Sequence, residues 1–318
     1  MNSQIDVSVV VVCMNNLDNL YPCLDSIYKT TMLAKIEVLV VAYLFSQKNF
    51  NDLKQRYPQV LVIESNEIRG FSENNNLALK QARGSYAFIL NDDTYFNDAI
   101  IDTLLDDFEN VPPECAVISP SIYHVNYKRR AIGYLPVESF AKFCFRILGF
   151  PLPRSKKDLK YINQKGLFQS YAFSGCAFMI KMRIFQKLAF FDEQYFFTPE
   201  DIVLSKLVND SGYTCYVDAN VELNHLQQTT FSKTSTATFP ASIRGTLIFR
   251  SENFFVYKIM LRILLLFKFS VVILLLFTKK TSIENDIAIK RYRNAIYALF
   301  SCKSPKELFV KFYKNKYE

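Results

Sequence analysis

The chain has 318 residues, half of them hydrophobic and 21% charged, with 29 phenylalanines, 19 tyrosines and no tryptophan. That is enough apolar material for a full core, and only 8 glycines exclude a collagenous or low-complexity chain. The net charge of +8 is unevenly placed: residues 279–318 carry ten Lys or Arg against four acids, so the rest of the chain is close to neutral. The cysteines at 13, 23, 115, 144, 176, 215 and 302 are odd in number, lack C-x-x-C spacing and lie mostly in apolar runs. Buried free thiols in a reducing compartment explain them better than disulfides or a zinc site. The apolar run at 7–12 is short, β-branched and preceded by no basic stretch, so it does not read as a signal peptide and a cytoplasmic protein is expected.

In chain order, residues 7–12 form a nearly continuous apolar run, as in a parallel strand buried on both faces. Residues 17–31 then place Leu20, Leu24, Ile27 and Tyr28 at helical spacing. A strand over 36–41, a helix over 47–57 stopped by Pro58, and a strand over 60–63 follow. A helix near 72–83 is expected to end with Gly84 just past its last turn. The strand 86–90 runs straight into Asn91-Asp92-Asp93, with a helix beginning near Asp98. This alternation predicts a doubly wound α/β sheet whose ligands gather at the carboxyl ends of its strands.

Residues 123–170 hold Lys128-Arg129-Arg130 and Arg154-Ser155-Lys156-Lys157 among aromatics and prolines, and read as a long, partly mobile loop on the acceptor side. Strands are expected at 173–180, 213–218 and 220–223, with helices at 182–189 and 199–211. Residues 259–277 are apolar except for Arg262 and Lys268, and their longest uncharged piece is shorter than the ~20 residues a span needs. At ~100° per residue, Lys258, Arg262, Lys268, Lys279 and Lys280 fall within about 120° of the circumference. Such a stripe fits a helix lying on an anionic membrane surface; a buried core helix or a homodimer interface are the other readings. A basic tail can also serve nucleic acid, but no recognised module accompanies it, and nucleic acid is not expected as a partner.

A buried strand ending in paired carboxylates supplies two hard oxygen ligands for Mg²⁺ or Mn²⁺, which can share phosphate oxygens of a nucleotide diphosphate. The plainer reading is a helix cap or Asx turn. Context favours the first. The order Gly70-Phe71-Ser72-Glu73-Asn74-Asn75-Asn76, then Gly84, a strand, and Asn91-Asp92-Asp93 resembles family 2 glycosyltransferases of the GT-A fold, in particular their rhamnosyltransferase-like branch. A second block, Ser174-Gly175-Cys176-Ala177-Phe178-Met179 through Phe190-Phe191-Asp192-Glu193 to Pro199-Glu200-Asp201, resembles the same family, as does Arg250-Ser251-Glu252-Asn253 followed by Lys258. The likeness covers roughly residues 5–260.

The resemblance implies a GT-A, Rossmann-like, mostly parallel central sheet with flanking helices over 1–250, followed over 251–318 by C-terminal amphipathic helices. It implies Asp93 as first metal ligand, Asp92 as second and His225, after the strand 220–223, as a third. By the same likeness Asp201 is the general base of an inverting displacement, with Glu200 beside it orienting acceptor or base. An acid at a helix N-terminus is well placed electrostatically, although acidic helix starts are common. Asn15, Tyr43, Gly70, Asn75, Asn91 and Asp92 fall where the donor is held. The expected function is transfer of a rhamnose-like or other hexose from a nucleotide-sugar donor to a lipid-linked glycan acceptor in cell-surface polysaccharide synthesis. The expected location is the inner face of the cell membrane.

Three departures bear on this. Cys13-Met14-Asn15 stands where the family has S-Y-N, Val203 replaces the last acid of E-D-x-D, and Ala42-Tyr43 replaces the V-D-N whose Asp holds the nucleobase. The loss at Ala42 motivates the alternative of a catalytically weak or inactive nucleotide- or glycan-binding partner of another transferase. Without tryptophan the chain also lacks the Q-x-x-R-W motif of processive polymerases, so one sugar is expected per encounter.

Overall fold

The computed structural model describes residues 4–150, 156–226, 234–251, 254–279 and 282–314. Arg154, Ser155, Glu252, Asn253 and Lys280 of the sequence motifs lie outside them. Two compact units are formed. The first comprises Met1–Pro136, Ser155–Asp192 and Asp201–Thr229; the second comprises Val137–Arg154, Glu193–Glu200 and Thr230–Glu318. The second unit therefore draws in two earlier stretches as well as the C-terminal residues, whereas the sequence suggested one cut after residue 250.

The first unit holds a ten-stranded sheet. Its strands are β1 (Val7–Met14), β2 (Ile36–Tyr43), β3 (Leu61–Ser65), β4 (Tyr86–Asn91), β5 (Thr94–Tyr95), β6 (Cys115–His124), β7 (Arg129–Ala131), β8 (Leu167–Ser170), β9 (Ala177–Lys181) and β10 (Thr214–His225). The order is β3-β2-β1-β4-β9-β6-β10-β5, with β7 on β6 and β8 on β10. β1 to β4, β6 and β10 run the same way, because β9 is antiparallel to both β4 and β6, and β6 and β10 are parallel. This is the α/β GT-A architecture expected, a mostly parallel sheet flanked by helices.

Alternation along β1 shows why the apolar run is continuous. Val7, Val9, Val11 and Cys13 enter one core with Leu20, Leu24 and Ile27 of helix α1 (Leu17–Thr30). Val10 enters the opposite core with Leu39, Ala87, Ile89 and Leu79, the last on α3 (Phe71–Leu79). With both faces covered, every position is apolar or, like Ser8, hydrogen-bonded. Ser8 Oγ donates to Glu37 at 2.7 Å and accepts the Gly84 N–H at 2.8 Å.

Gly84 therefore has a different role from the one expected. Helix α3 ends at Leu79 with Lys80 as its cap. Gly84 lies so close to β1 that a Cβ there would come within 2.5 Å of the Ser8 nitrogen. Residues 123–170 also depart from the reading as a loop: they carry β7, β8 and an amphipathic helix, α5 (Phe140–Ile147), held by packing of Phe143 and Ile147. The two short strands expected at 213–218 and 220–223 are one strand, β10, irregular between Asp218 and Glu222. Helices α2 (Gln47–Arg56), α4 (Ile100–Asp107), α6 (Met182–Lys187) and α7 (Glu200–Asp210) fall within a few residues of expectation.

In the second unit, α5 is joined by α8 (Ser235–Ser251), α9 (Phe255–Phe277), α10 (Ile283–Phe300) and α11 (Pro305–Lys314). The core shared by α5, α8, α9 and α10 contains Phe143, Ile147, Leu247, Leu261, Leu265, Phe269, Ala295 and Leu299.

Candidate active site

Strand β4 delivers the acidic pair. Asn91, its last residue, donates its N–H to the Cys176 carbonyl at 2.9 Å and accepts the Thr94 hydroxyl at 2.7 Å. This closes a tight turn holding Asp92 and Asp93 at the carboxyl end of the sheet, both buried. Strand β10 then returns alongside: His225 pairs with Thr94 and Asn224 with Tyr95. The Leu226 N–H donates to the Asp93 carbonyl at 3.0 Å, and His225 Nε2 lies 3.1 Å from Asp93 Oδ1.

The electrostatics are those of a site that calls for positive charge. Burial, then the neighbouring Asp93, raises the Asp92 pKa to about 7, against the lowering effect of the Cys13 thiol and His225. Asp92 Oδ2 is buried with no hydrogen-bond partner among the described residues. Burial opposes the charged form of His225, but Asp93 and the Cys176 thiol outweigh it and lift its pKa to about 10. Among the described residues no three His, Cys, Asp or Glu side chains form a preassembled metal cluster. Two adjacent carboxylates, one with an orphaned buried oxygen, nevertheless fit a divalent cation that takes its remaining ligands from phosphate and water. His225 Nε2 lies beside them, and a cation there would replace the proton that now makes it cationic.

The second acid belongs to α7. Asp201 Oδ1 accepts the Ile202 N–H at 2.7 Å, and Oδ2 accepts the Gly175 N–H at 3.3 Å. Burial raises the Asp201 pKa, while those N–H groups pull it down. Gly175 packs tightly here, since a Cβ would stand 3.1 Å from the Asp201 Cβ. Glu200 precedes Asp201 as the first residue of the helix.

Two consecutive residues link the acids. Gly175 binds the Asp201 carboxylate, while Cys176 accepts the Asn91 N–H through its carbonyl and faces His225 through its thiol. The Ser174 hydroxyl donates to the Cys176 sulfur at 3.1 Å. Tyr134 lies beside Ser174, Cys176 and Asp201, with its hydroxyl pKa pushed up by burial. Asp93 and Asp201 thus share one neighbourhood at the same end of the sheet.

The other sequence candidates lie at the carboxyl ends of β1 and β2 and at the start of α3, where each makes structural hydrogen bonds. Asn15, at a positive φ of 49°, accepts hydrogen bonds from the Ser46 N–H and the Asn49 amide, each at 2.9 Å. Tyr43 has a buried ring and a hydroxyl that accepts the Arg69 N–H at 3.3 Å, so it presents no open face for stacking on a base. Gly70 caps α3 and donates its N–H to Glu73. Asn75 is buried and bonds the Phe71 carbonyl of its own helix. Asn76 takes both backbone groups of Phe191, at 2.9 and 3.2 Å. Sequence reasoning passed over His124, which the β6–β10 register sets opposite His225 with ring centroids 5.8 Å apart. It also passed over the thiols of Cys13 and Cys176 and the hydroxyl of Tyr134. The one signal available was that Gly175-Cys176 sat inside a motif.

Comparison with known proteins bears on this arrangement. The sequence model described as "Glycosyl transferase family 2" matches residues 8–189, more than half of the chain. No curated protein sequence matches. Among solved structures, GalNAc-T7 with UDP, GalNAc and Mn²⁺ aligns with a TM-score of 0.57 at 15% identity, over 77% of this chain and 48% of that one. The present chain thus spans about half the length of that protein. The mannosyltransferase PcManGT from Pyrobaculum calidifontis, in complex with GDP-Man and Mn²⁺, aligns with a TM-score of 0.52 at 14% identity, covering 99% of this chain and 81% of that one. S. aureus TarS 1-349 gives a TM-score of 0.51 at 16% identity, over 93% and 83%. At these identities the structures share the fold.

Proposed function

For a chain that belongs to glycosyl transferase family 2, we propose an inverting, metal-dependent transfer of a hexose, rhamnose-like or other, from a nucleotide-diphosphate donor to a lipid-linked glycan. Cell-surface polysaccharide synthesis is the setting, and the inner face of the cell membrane the location. The observation that carries the reading is the pair Gly175–Cys176, which ties Asp201 to the neighbourhood of Asp92, Asp93 and His225. That arrangement suits a displacement with the leaving group at one acid cluster and the attacking hydroxyl at the other.

In this reading Asp201 takes the proton from the acceptor hydroxyl. The raised pKa that follows from its burial makes it a stronger base than an exposed aspartate. The hydroxyl oxygen bonds to the anomeric carbon as the bond to the diphosphate oxygen breaks, with inversion. Glu200 orients the acceptor or the base. Asp93, Asp92 and His225 would hold Mg²⁺ or Mn²⁺, which when bound supplies charge neutralisation for the leaving diphosphate. Asn91 and Gly70 hold backbone near the donor. The structural hydrogen bonds of Asn15, Tyr43 and Asn75 support for them a role in shaping the donor site from behind.

The test uses donor binding and product formation separately. Asp201→Asn should abolish product seen by mass spectrometry while Mn²⁺-dependent nucleotide-sugar binding, measured by calorimetry, persists. Asp93→Asn should lose both. Turnover retained in both variants overturns the assignment. A second reading, a binding partner without transfer, draws on Ala42, fully buried where the family's base-holding Asp is expected. Tight donor binding by the wild-type chain with neither transfer nor donor hydrolysis favours it.

A further inference from the structure

Helix α9 (Phe255–Phe277) is long and apolar enough to cross a membrane by length and composition. Its two sides differ. Leu261, Leu265 and Phe269 are buried in the core of the second unit, against Phe143, Leu247 and Leu299. At ~100° per residue, Phe255, Ile259, Ile263, Phe267, Leu274 and Phe277 fall in one arc of roughly 120° on the other side. All six are exposed, Phe255 at 73% and Phe267 at 63%. Lys258 and Arg262 border one edge of this stripe, whereas Lys268 lies round toward the core side.

We propose that this stripe is a docking surface for an anionic phospholipid leaflet, with α9 lying in the plane of the membrane rather than crossing it. A crossing helix would have to abandon its core on α5, α8 and α10, and would carry Lys268, near its midpoint, into hydrocarbon. An in-plane helix keeps the core side packed, the stripe enters the acyl boundary, and Lys258 and Arg262 at its edge reach the headgroups.

Charge selects the partner. The second unit carries nineteen Lys and Arg against eight Asp and Glu, whereas the first carries nineteen against twenty-two. Burial, and after it the charge of Arg262 at the border of the stripe, lowers the pKa of the half-buried Arg244 of α8. Nε and Nη1 of Arg244 and Nε of Arg262 are buried donors with no acceptor among the described residues. The remaining nitrogens of these two guanidinium groups are the ones open to phosphate oxygens. A second copy of the chain on the same face would instead bring the same cations together. The inference concerns binding alone and stands apart from the transfer reaction.

The full chain has no tryptophan, so Ile259→Trp, Phe267→Trp and Leu274→Trp each give a single reporter. With vesicles containing phosphatidylglycerol, quenching by lipids brominated at graded depths should put all three at one shallow depth, about 5–10 Å into the boundary. Phosphatidylcholine vesicles alone should bind much less. Phe267→Glu with Leu274→Glu should lower the fraction sedimenting with vesicles about tenfold or more. Arg244→Gln with Arg262→Gln should reduce the preference for anionic lipid while circular dichroism is unchanged. Depth that peaks at position 267 and falls toward 259 and 274 overturns the proposal in favour of a span. Failure to sediment with vesicles, or lipid-free self-association abolished by Phe267→Glu, overturns it in favour of a protein interface.

Discussion

At Asp92 and Asp93 two acids stand side by side, both buried, and burial, then the Asp93 charge, makes Asp92 hold its proton up to about pH 7. A cation binding only the folded chain stabilises it, by ~2.7 kcal/mol at a hundred times its dissociation constant. Mn²⁺ should accordingly raise the melting temperature, EDTA should reverse the rise, and Asp93→Asn should lose most of it. Thermal denaturation with and without metal checks this without any turnover. Gly175 permits a second residue-scale test. A methyl group there meets the Asp201 side chain at 3.1 Å, so Gly175→Ala must push the carboxylate aside by a few tenths of an ångström. Turnover should fall about tenfold or more with little change in donor binding, because placement of the reacting group and not affinity is disturbed.

At the scale of elements, the Asn-rich turn of α3 holds more structure than chemistry. Asn76 anchors the segment after α6 by taking the N–H and the carbonyl of Phe191, both buried. Asn76→Ala leaves two backbone groups unsatisfied and should cost about 2–4 kcal/mol in urea denaturation. Helix α4 and strand β10 meet less comfortably. Burial, then Asp218, then Asp106 raise the Asp107 pKa to about 7, and one of its oxygens is buried without a partner among the described residues. The folded chain thus holds that proton more tightly than the unfolded chain does. Its contribution to stability is complete below the ordinary carboxylate range and is lost as pH rises through about 7. Asp107→Asn should therefore melt higher than wild type at pH 8, and the gap should narrow at pH 5.

For the whole molecule, the discontinuous second unit limits how the chain can be cut. Phe143 and Ile147 of α5 are covered by Leu261, Leu265, Ala295 and Leu299, all beyond residue 250. A fragment of residues 1–250 exposes those side chains, and should lose the cooperative thermal transition of the full chain. Melting followed by circular dichroism decides it: a cooperative fragment would mean this core is dispensable. The same interleaving hid the unit from the sequence, where 137–154 reads as basic and aromatic with no visible partner.

Period and punctuation fix what can be read locally. The apolar run of β1, the βα alternation up to Asn91 and the acidic residues that follow β4 and begin α7 follow from side-chain patterning alone, so the fold class and the first candidates were legible. Contacts between distant segments depend on strand order and register, which no local pattern encodes. Pairing of β10 with β5 and β6 brings His225 to Asp93 and His124 to His225, and the Ser174–Cys176 turn carries Asp201 toward the same strand end. The sequence by itself determined the parallel core and its acids; tertiary structure decided which of those acids are neighbours, because a one-residue change of register would turn each side chain to the other face.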